Sequence, residues 1–193
     1  MSGLDHADWV RLHQIANGEL DVRVRQILPD WWSASTPCEE WDVYELVNHV
    51  VVESMWTPVL LAGHHPDTVG GLDGDVIEGD PVDAWEQARA EAIDAVLESD
   101  PEAEVFLEQG SITAARFVRQ KTLDLAVHAW DLGRAIAGDE QLDPELVEAI
   151  GDLVEGNASY FAAGSEFFEA SLSPDPDDDR WSRVLRILGR DPE

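Results

Sequence analysis

Two side chains with metal-binding chemistry lie close together in the stretch from Leu123 to Leu132. Asp124 and His128 are four residues apart, so on a helix they share one face and their side chains converge. The stretch is rich in Leu and Ala and contains no Pro, which favours a helix. Burying either polar group alone among apolar residues is unfavourable. A carboxylate and an imidazole at this spacing can instead form half of a metal site.

A second imidazole, that of His49, lies in another apolar stretch far upstream. Helical bundles build metal sites from side chains on facing helices. His49, Asp124 and His128 would together give two imidazoles and one carboxylate, and three protein ligands leave a coordination position open, as catalytic sites do. The set suits zinc best, and nickel and iron also accept it. The spacing of these residues is equally consistent with histidines that are buried in the core and bind no metal.

Metal-bound histidines usually need an acceptor for the second ring nitrogen. Asp131, Glu53 or a backbone carbonyl could provide it. Asp131 could equally pair with Arg134 at the surface. Glu53 follows His49 by one helical turn, so it is also a weaker candidate for a fourth metal ligand.

Basic residues cluster just upstream of Asp124, although the chain is poor in them. Lys121, Arg116 and Arg119 are weak candidates for binding an anionic cofactor, and ordinary ion pairing with nearby carboxylates is the alternative. Cys38 precedes a predicted helix by several residues, and we expect it to pack rather than to act as a nucleophile.

Apolar periodicity and capping signals divide the chain into long helices. Asp42 followed by Glu45 is a capping-box pattern that begins the second of them. We expect helices over 5–28, 42–63, 82–98, 111 or 112–137, 143–161 and 181–188, with some extended structure around 104–107. No run alternates strongly enough to require a sheet. The pattern predicts an all-α protein, a four-helix bundle with short extra helices, forming a single domain over residues 1–193.

The charge is strongly negative, with 41 acidic against 12 basic side chains and a formal net charge of -29. Such a surface repels nucleic acid and anionic membranes, so we expect neither as a partner. It is typical either of a high-salt cytoplasm or of an acidic protein from a GC-rich genome. The chain has no apolar run of membrane-spanning length and no signal pattern at its start, so we expect a cytoplasmic protein. A single cysteine, Cys38, excludes an internal disulfide.

Three segments resemble a known family. They are Thr36-Pro37-Cys38-x-x-Trp41-Asp42-Val43-x-x-Leu46-Val47-x-His49, then Asp124-x-x-x-His128-x-Trp130-Asp131-Leu132, and the tail Leu188-Gly189-Arg190-Asp191-Pro192. The first two are similar to signatures of the mycothiol-dependent maleylpyruvate isomerase family, within the wider DinB-like group of metal-binding helical bundles. The tail is similar to that of a short actinobacterial branch.

The resemblance implies a DinB-like four-helix bundle in which His49, Asp124 and His128 match the family's three metal ligands, with zinc the usual metal. It implies a divalent-metal-binding protein that acts as a thiol (mycothiol) transferase or isomerase on a small electrophile, as a monomer or homodimer. The alternative is a non-catalytic module that binds metal or a small ligand. Two departures stand out. The isomerase has Glu where this chain has Asp124, and this chain is expected to be too short for the isomerase's C-terminal domain, which contributes to thiol binding.

Overall fold

A computed structural model describes residues 3–38, 41–72, 74–162, 170–173 and 175–193. These residues are mostly helical. The helices and strands are α1 (His6–Val24), α2 (Val43–Leu61), α3 (Pro81–Leu97), β1 (Glu104–Leu107), β2 (Gly110–Thr113), α4 (Ala114–Ala135), α5 (Pro144–Glu155), α6 (Ala158–Phe161) and α7 (Arg180–Ile187). None of the described helices combines the length and the apolarity needed to cross a bilayer.

The chain divides into two compact units, an N-terminal unit (Met1–Glu140) and a C-terminal unit (Gln141–Glu193). In the N-terminal unit, α1 packs on α4 and α3, and α2 packs on α3 and α4. The four helices therefore form a ring in the order α1, α4, α2, α3, and the predicted four-helix bundle is confirmed. The largest fully buried side chains of its helices are Leu12, Leu20, Leu46, Trp85, Phe117, Trp130 and Leu132.

The helix carrying His49 begins where its capping box predicts. The Asp42 carboxylate accepts from the Glu45 amide at 2.9 Å, and the Glu45 carboxylate accepts from the Asp42 amide at 2.9 Å. These paired bonds satisfy backbone donors that a helix start otherwise leaves open. They fix the register of α2, and with it the face on which His49 lies.

Two of the predicted helices end or divide differently in the structure. The first helix ends at Val24 rather than at Leu28. Leu28 is extended, with φ -80° and ψ 154°, because the α region is disfavoured for the residue before Pro29. The predicted fifth helix is divided at Gly156 and Asn157 into α5 and α6.

The fourth helix begins at Ala114, two or three residues later than predicted, because the preceding residues pair in a short antiparallel hairpin. Glu104 to Leu107 lie opposite Thr113 to Gly110, so the extended structure expected there is confirmed. Val105 of β1 is buried with Leu60 and Phe117. This packing of the hairpin holds the start of α4 against the end of α2.

In the C-terminal unit, α5 packs against α7. Arg180 at the start of α7 pairs with Glu148 on α5, and its Nη2 lies 2.5 Å from an Asp152 carboxylate oxygen. The guanidinium lies directly over Gly151, where a Cβ atom would come within 2.3 Å of its Nε. The glycine thus lets a charged group cross the face of α5.

The last turn of α4 is closed by a backbone contact at Gly133. A Cβ atom there would lie 2.5 Å from the Asp139 carbonyl oxygen and 3.1 Å from Arg23 Nε. Arg23 Nε itself donates to that carbonyl at 2.9 Å. The chain can therefore fold back tightly behind α4 only where a side chain is missing.

Gly133→Ala should lower the free energy of unfolding by about 1–3 kcal/mol, because the added methyl group meets backbone that cannot move away cheaply. Gly18→Ala is the matched control, since it is also a helical glycine but has nothing within 4 Å of its Cβ position. That control should raise stability by roughly 0.5–1 kcal/mol. Urea denaturation measures both changes, and equal shifts in the two variants would contradict the close contact at Gly133.

Candidate metal centre

The bundle brings the three predicted ligands together. His49 lies on α2, while Asp124 and His128 lie one turn apart on α4. The His49 Nε2 atom is 4.0 Å from one Asp124 carboxylate oxygen, and His128 Nε2 is 3.4 Å from the other. One nitrogen or oxygen atom from each of the three lies within 4.8 Å of those of the other two.

This geometry fits a divalent metal. Zinc bonds of about 2.0–2.2 Å in a tetrahedron place neighbouring ligand atoms about 3.4 Å apart, so small side-chain rotations would close the set around an ion. Two imidazoles and one carboxylate are donors that zinc, nickel and iron accept. The side chains of His49 and Asp124 are 23% and 18% exposed, so one side of the cluster is reached by solvent.

Asp131 lies directly behind His128. Its side chain is fully buried, and a carboxylate oxygen accepts from His128 Nδ1 at 3.1 Å. Of the two interpretations of Asp131, the structure supports the acceptor for His128 and excludes an exposed surface pair. Arg134 pairs with Glu140 at 3.0 Å. The hydrogen bond to Nδ1 turns His128 Nε2 toward Asp124, as a ligand histidine requires.

The buried groups of the centre shift one another's pKa. Burial alone would raise the pKa of Asp124, but His128 and His49 hold it well below its usual value. Burial opposes the charge on His128, yet Asp124 and then Asp131 raise its pKa well above the usual value. Burial lowers the pKa of His49. A metal ion entering the site would have to displace the His128 proton, so its affinity falls as the pH falls.

Two contacts of the centre were not foreseen from the sequence. The Trp41 ring lies 4.5 Å from the His49 ring and 5.9 Å from the His128 ring, centroid to centroid, and so covers one side of both imidazoles. The half-buried Cys38 thiol donates to Asp131 at 3.4 Å, a contact that the expected packing role did not include. Both residues precede α2 in the sequence, and their contacts with the centre can be seen only in the three-dimensional structure.

The basic residues near the start of α4 have different surroundings. The Lys121 ammonium pairs with the Glu53 carboxylate on α2, so the Glu53 side chain is directed toward Lys121. Arg119 lies 5.7 Å from the centre of the Trp9 ring on α1, and Arg116 is exposed. The structure does not bring these three cations together, and their role in binding an anionic cofactor stays a prediction.

A buried histidine on α1 approaches the same region. His13 is 1% exposed, and burial, then the charge of Lys121, lower its pKa to about 4. The Asn17 side-chain amide donates to the His13 carbonyl oxygen at 2.9 Å and lies 3.3 Å from its ring Nδ1. His13 also borders a cavity of about 10 Å³ that Glu53, Lys121 and Asp124 help to line. That volume holds about one water molecule.

Because the fold holds His13 neutral, its contribution to stability is complete above pH 6.5 and is lost as the pH falls toward about 4. We expect this single group to remove up to about 3 kcal/mol over that interval. His13→Gln should therefore lose less stability than the wild type between pH 7 and pH 4. Urea unfolding at pH 8, where the histidine is neutral in both states, gives the reference difference. Parallel pH profiles of the two proteins would contradict the assignment.

The fold and the three converging side chains define a DinB-like helical bundle with a candidate metal centre. The chain belongs to the family described as the mycothiol maleylpyruvate isomerase N-terminal domain, whose model matches residues 14–133. The matched range contains all three candidate ligands and the first two sequence motifs, whose resemblance to this family is confirmed.

Relatives in Mycobacterium tuberculosis are similar over most of their length. Two proteins from different strains, Uncharacterized protein MT0763 and Uncharacterized protein Rv0738, are each 28% identical over 145 residues, covering 72% of this chain and 73% of theirs.

Two crystal structures share the fold. The mycothiol-dependent maleylpyruvate isomerase and a histidine-to-alanine mutant of it superpose with TM-scores of 0.70 and 0.71 at 14% identity, over 98% of this chain and 92% of theirs. The expectation that this chain is too short to match the C-terminal part of the isomerase is therefore wrong. Residues beyond the family model, from 134 onward, contribute to the superposition.

Proposed function

We propose that this protein binds a divalent metal, zinc by its donor chemistry, through His49, Asp124 and His128, and that it is a mycothiol-dependent transferase or isomerase acting on a small electrophile. The observation that carries the proposal is the convergence of these three side chains from two facing helices, within a family described by mycothiol and maleylpyruvate isomerisation. Nickel or iron are the other metals that the donors would accept.

The side chains have separable roles in this proposal. His49, Asp124 and His128 hold the metal, Asp131 orients His128, and Trp41 shields the imidazoles from water on one side. A metal held there would supply Lewis-acid activation, which would favour the thiolate form of a thiol near neutral pH. The exposed edges of His49 and Asp124 are the side from which a thiol would approach.

The metal assignment predicts near-stoichiometric zinc in the wild-type protein purified without chelator, measured by inductively coupled plasma mass spectrometry. His49→Ala and His128→Ala should lose most of it, because each removes a ligand. His65→Ala is the matched control. The His65 ring stacks on the Phe106 ring, with 4.1 Å between their centroids, and His65 is not one of the proposed ligands. Its removal should leave the metal content unchanged. Wild-type metal content in both ligand variants would overturn the site.

A non-catalytic module that binds metal or a small ligand is the second candidate, and one observation favours it. Among the described residues, the cavity that borders Asp124 measures about 10 Å³, which is far below the 300–1,000 Å³ or so of small-molecule sites. A substrate would therefore have to lie on the exposed side of His49 and Asp124 rather than in this cavity.

A thiol assay separates the two candidates. The metal-loaded protein should isomerise maleylpyruvate only when mycothiol is present, with the thiol released again at the end, or should consume mycothiol when a chromogenic electrophile is supplied. His49→Ala should reduce either rate to that of the solution without protein, and the metal-loaded His65→Ala variant should keep the full rate. Stoichiometric metal binding with neither mycothiol-dependent isomerisation nor thiol consumption across a panel of electrophiles would favour the binding module.

We also propose that the protein is cytoplasmic, has small-molecule partners, and is a monomer or a homodimer. Residues 1–193 form one domain in this proposal. Sedimentation analysis addresses the assembly state directly.

A further inference from the structure

A second pair of ionised side chains lies next to the metal centre and is not used by the proposed chemistry. Lys121 on α4 donates to the Glu53 carboxylate on α2, and their side chains are only 16% and 27% exposed. The Lys121 ammonium also lies 5.5 Å from the centre of the Phe117 ring. It is the only lysine in a chain with 41 acidic residues, and a partly buried place between two helices is unusual for this residue type.

This pair lies one helical turn from the metal centre on both helices, after His49 on α2 and before Asp124 on α4. Glu53 follows His49 by four residues, and Lys121 precedes Asp124 by three. On a helix these offsets place both members on the same face as the ligand beside them. The α2–α4 contact therefore carries two cross-helix connections, one between His49 and Asp124 and one between Glu53 and Lys121.

A small cavity borders both connections. Its walls combine Glu53, Lys121 and Asp124 with apolar side chains of α2, α3 and α4, and its volume is about 10 Å³. One water molecule with several polar neighbours fits such a space. Burial lowers the pKa of Lys121, while the Asp124 carboxylate acts in the opposite direction, so the two charges interact across this gap.

We propose that Lys121, held by Glu53, is a positioning residue for Asp124. If a metal takes one oxygen of Asp124, the other oxygen still needs a hydrogen-bond donor. A water molecule held by the Lys121 ammonium in the cavity would supply that donor, and the ammonium itself would supply a compensating charge. Glu53 keeps the ammonium in place and is not itself a ligand. This inference rests on the proposed metal site and adds two residues to it.

The test is a Co²⁺ titration of the full-length protein, followed by visible absorption, which reports the coordination geometry as well as the affinity. Lys121→Met should weaken Co²⁺ binding about 10- to 100-fold, as loss of an outer hydrogen-bond partner does, and should alter the spectrum. Lys121→Arg keeps the charge and should recover part of the affinity. Glu53→Gln should weaken binding less than Lys121→Met does.

A double variant separates positioning from stability. Lys121→Met with Glu53→Met replaces a partly buried ion pair by apolar side chains, which proteins often tolerate without loss of stability. It should unfold at about the wild-type temperature and still bind Co²⁺ about 10- to 100-fold more weakly. If Glu53 acts only through Lys121, the double variant should bind no more weakly than Lys121→Met alone.

Arg89→Met is the matched control. Arg89 on α3 lies 3.6 Å from the Asp21 carboxylate on α1 and is 25% exposed, so it is also a partly buried cation between two helices of the bundle. Its removal should leave Co²⁺ binding unchanged. Wild-type affinity and spectrum in the double variant would overturn this inference alone. A wild-type protein that does not bind Co²⁺ would overturn the proposed metal site, and this inference with it.

Discussion

Charges enclosed between α2 and α4 must neutralise one another, and this requirement organises the centre of the bundle. His49, Asp124, His128 and Asp131 form one connected set of ionisable groups, and Glu53 with Lys121 forms another. None of these groups is stable in a low-dielectric environment without its partner. The register of the two helices is therefore specified by charge as well as by apolar packing.

The parts of this structure that follow from local rules were predictable. Helical periodicity located the long helices, the Asp42–Glu45 box placed the start of α2, and the four-residue spacing of Asp124 and His128 indicated a shared face. The remaining features depend on contacts between distant segments. The hairpin that delays α4 requires Val105 to bury against Leu60, and no local signal in the sequence joins Cys38 to Asp131.

The pairing of Lys121 with Glu53 shows most clearly where the sequence stops being informative. Either residue alone is consistent with a solvated helix face, an anion site or a metal ligand. Only the packing of α2 on α4 selects among these, because it places the two side chains opposite each other. The superposition with the isomerase at 14% identity leads to the same conclusion, since the helix arrangement is shared although few side chains are.

The location of Lys121 also has a practical consequence for chemical labelling. Apart from the amino terminus, its ammonium is the only primary amine in the chain, and it is enclosed in an ion pair with a 16% exposed side chain. Acylating reagents should therefore modify the internal site only when α2 and α4 separate. The rate of modification at this one position reports how often the centre of the bundle opens.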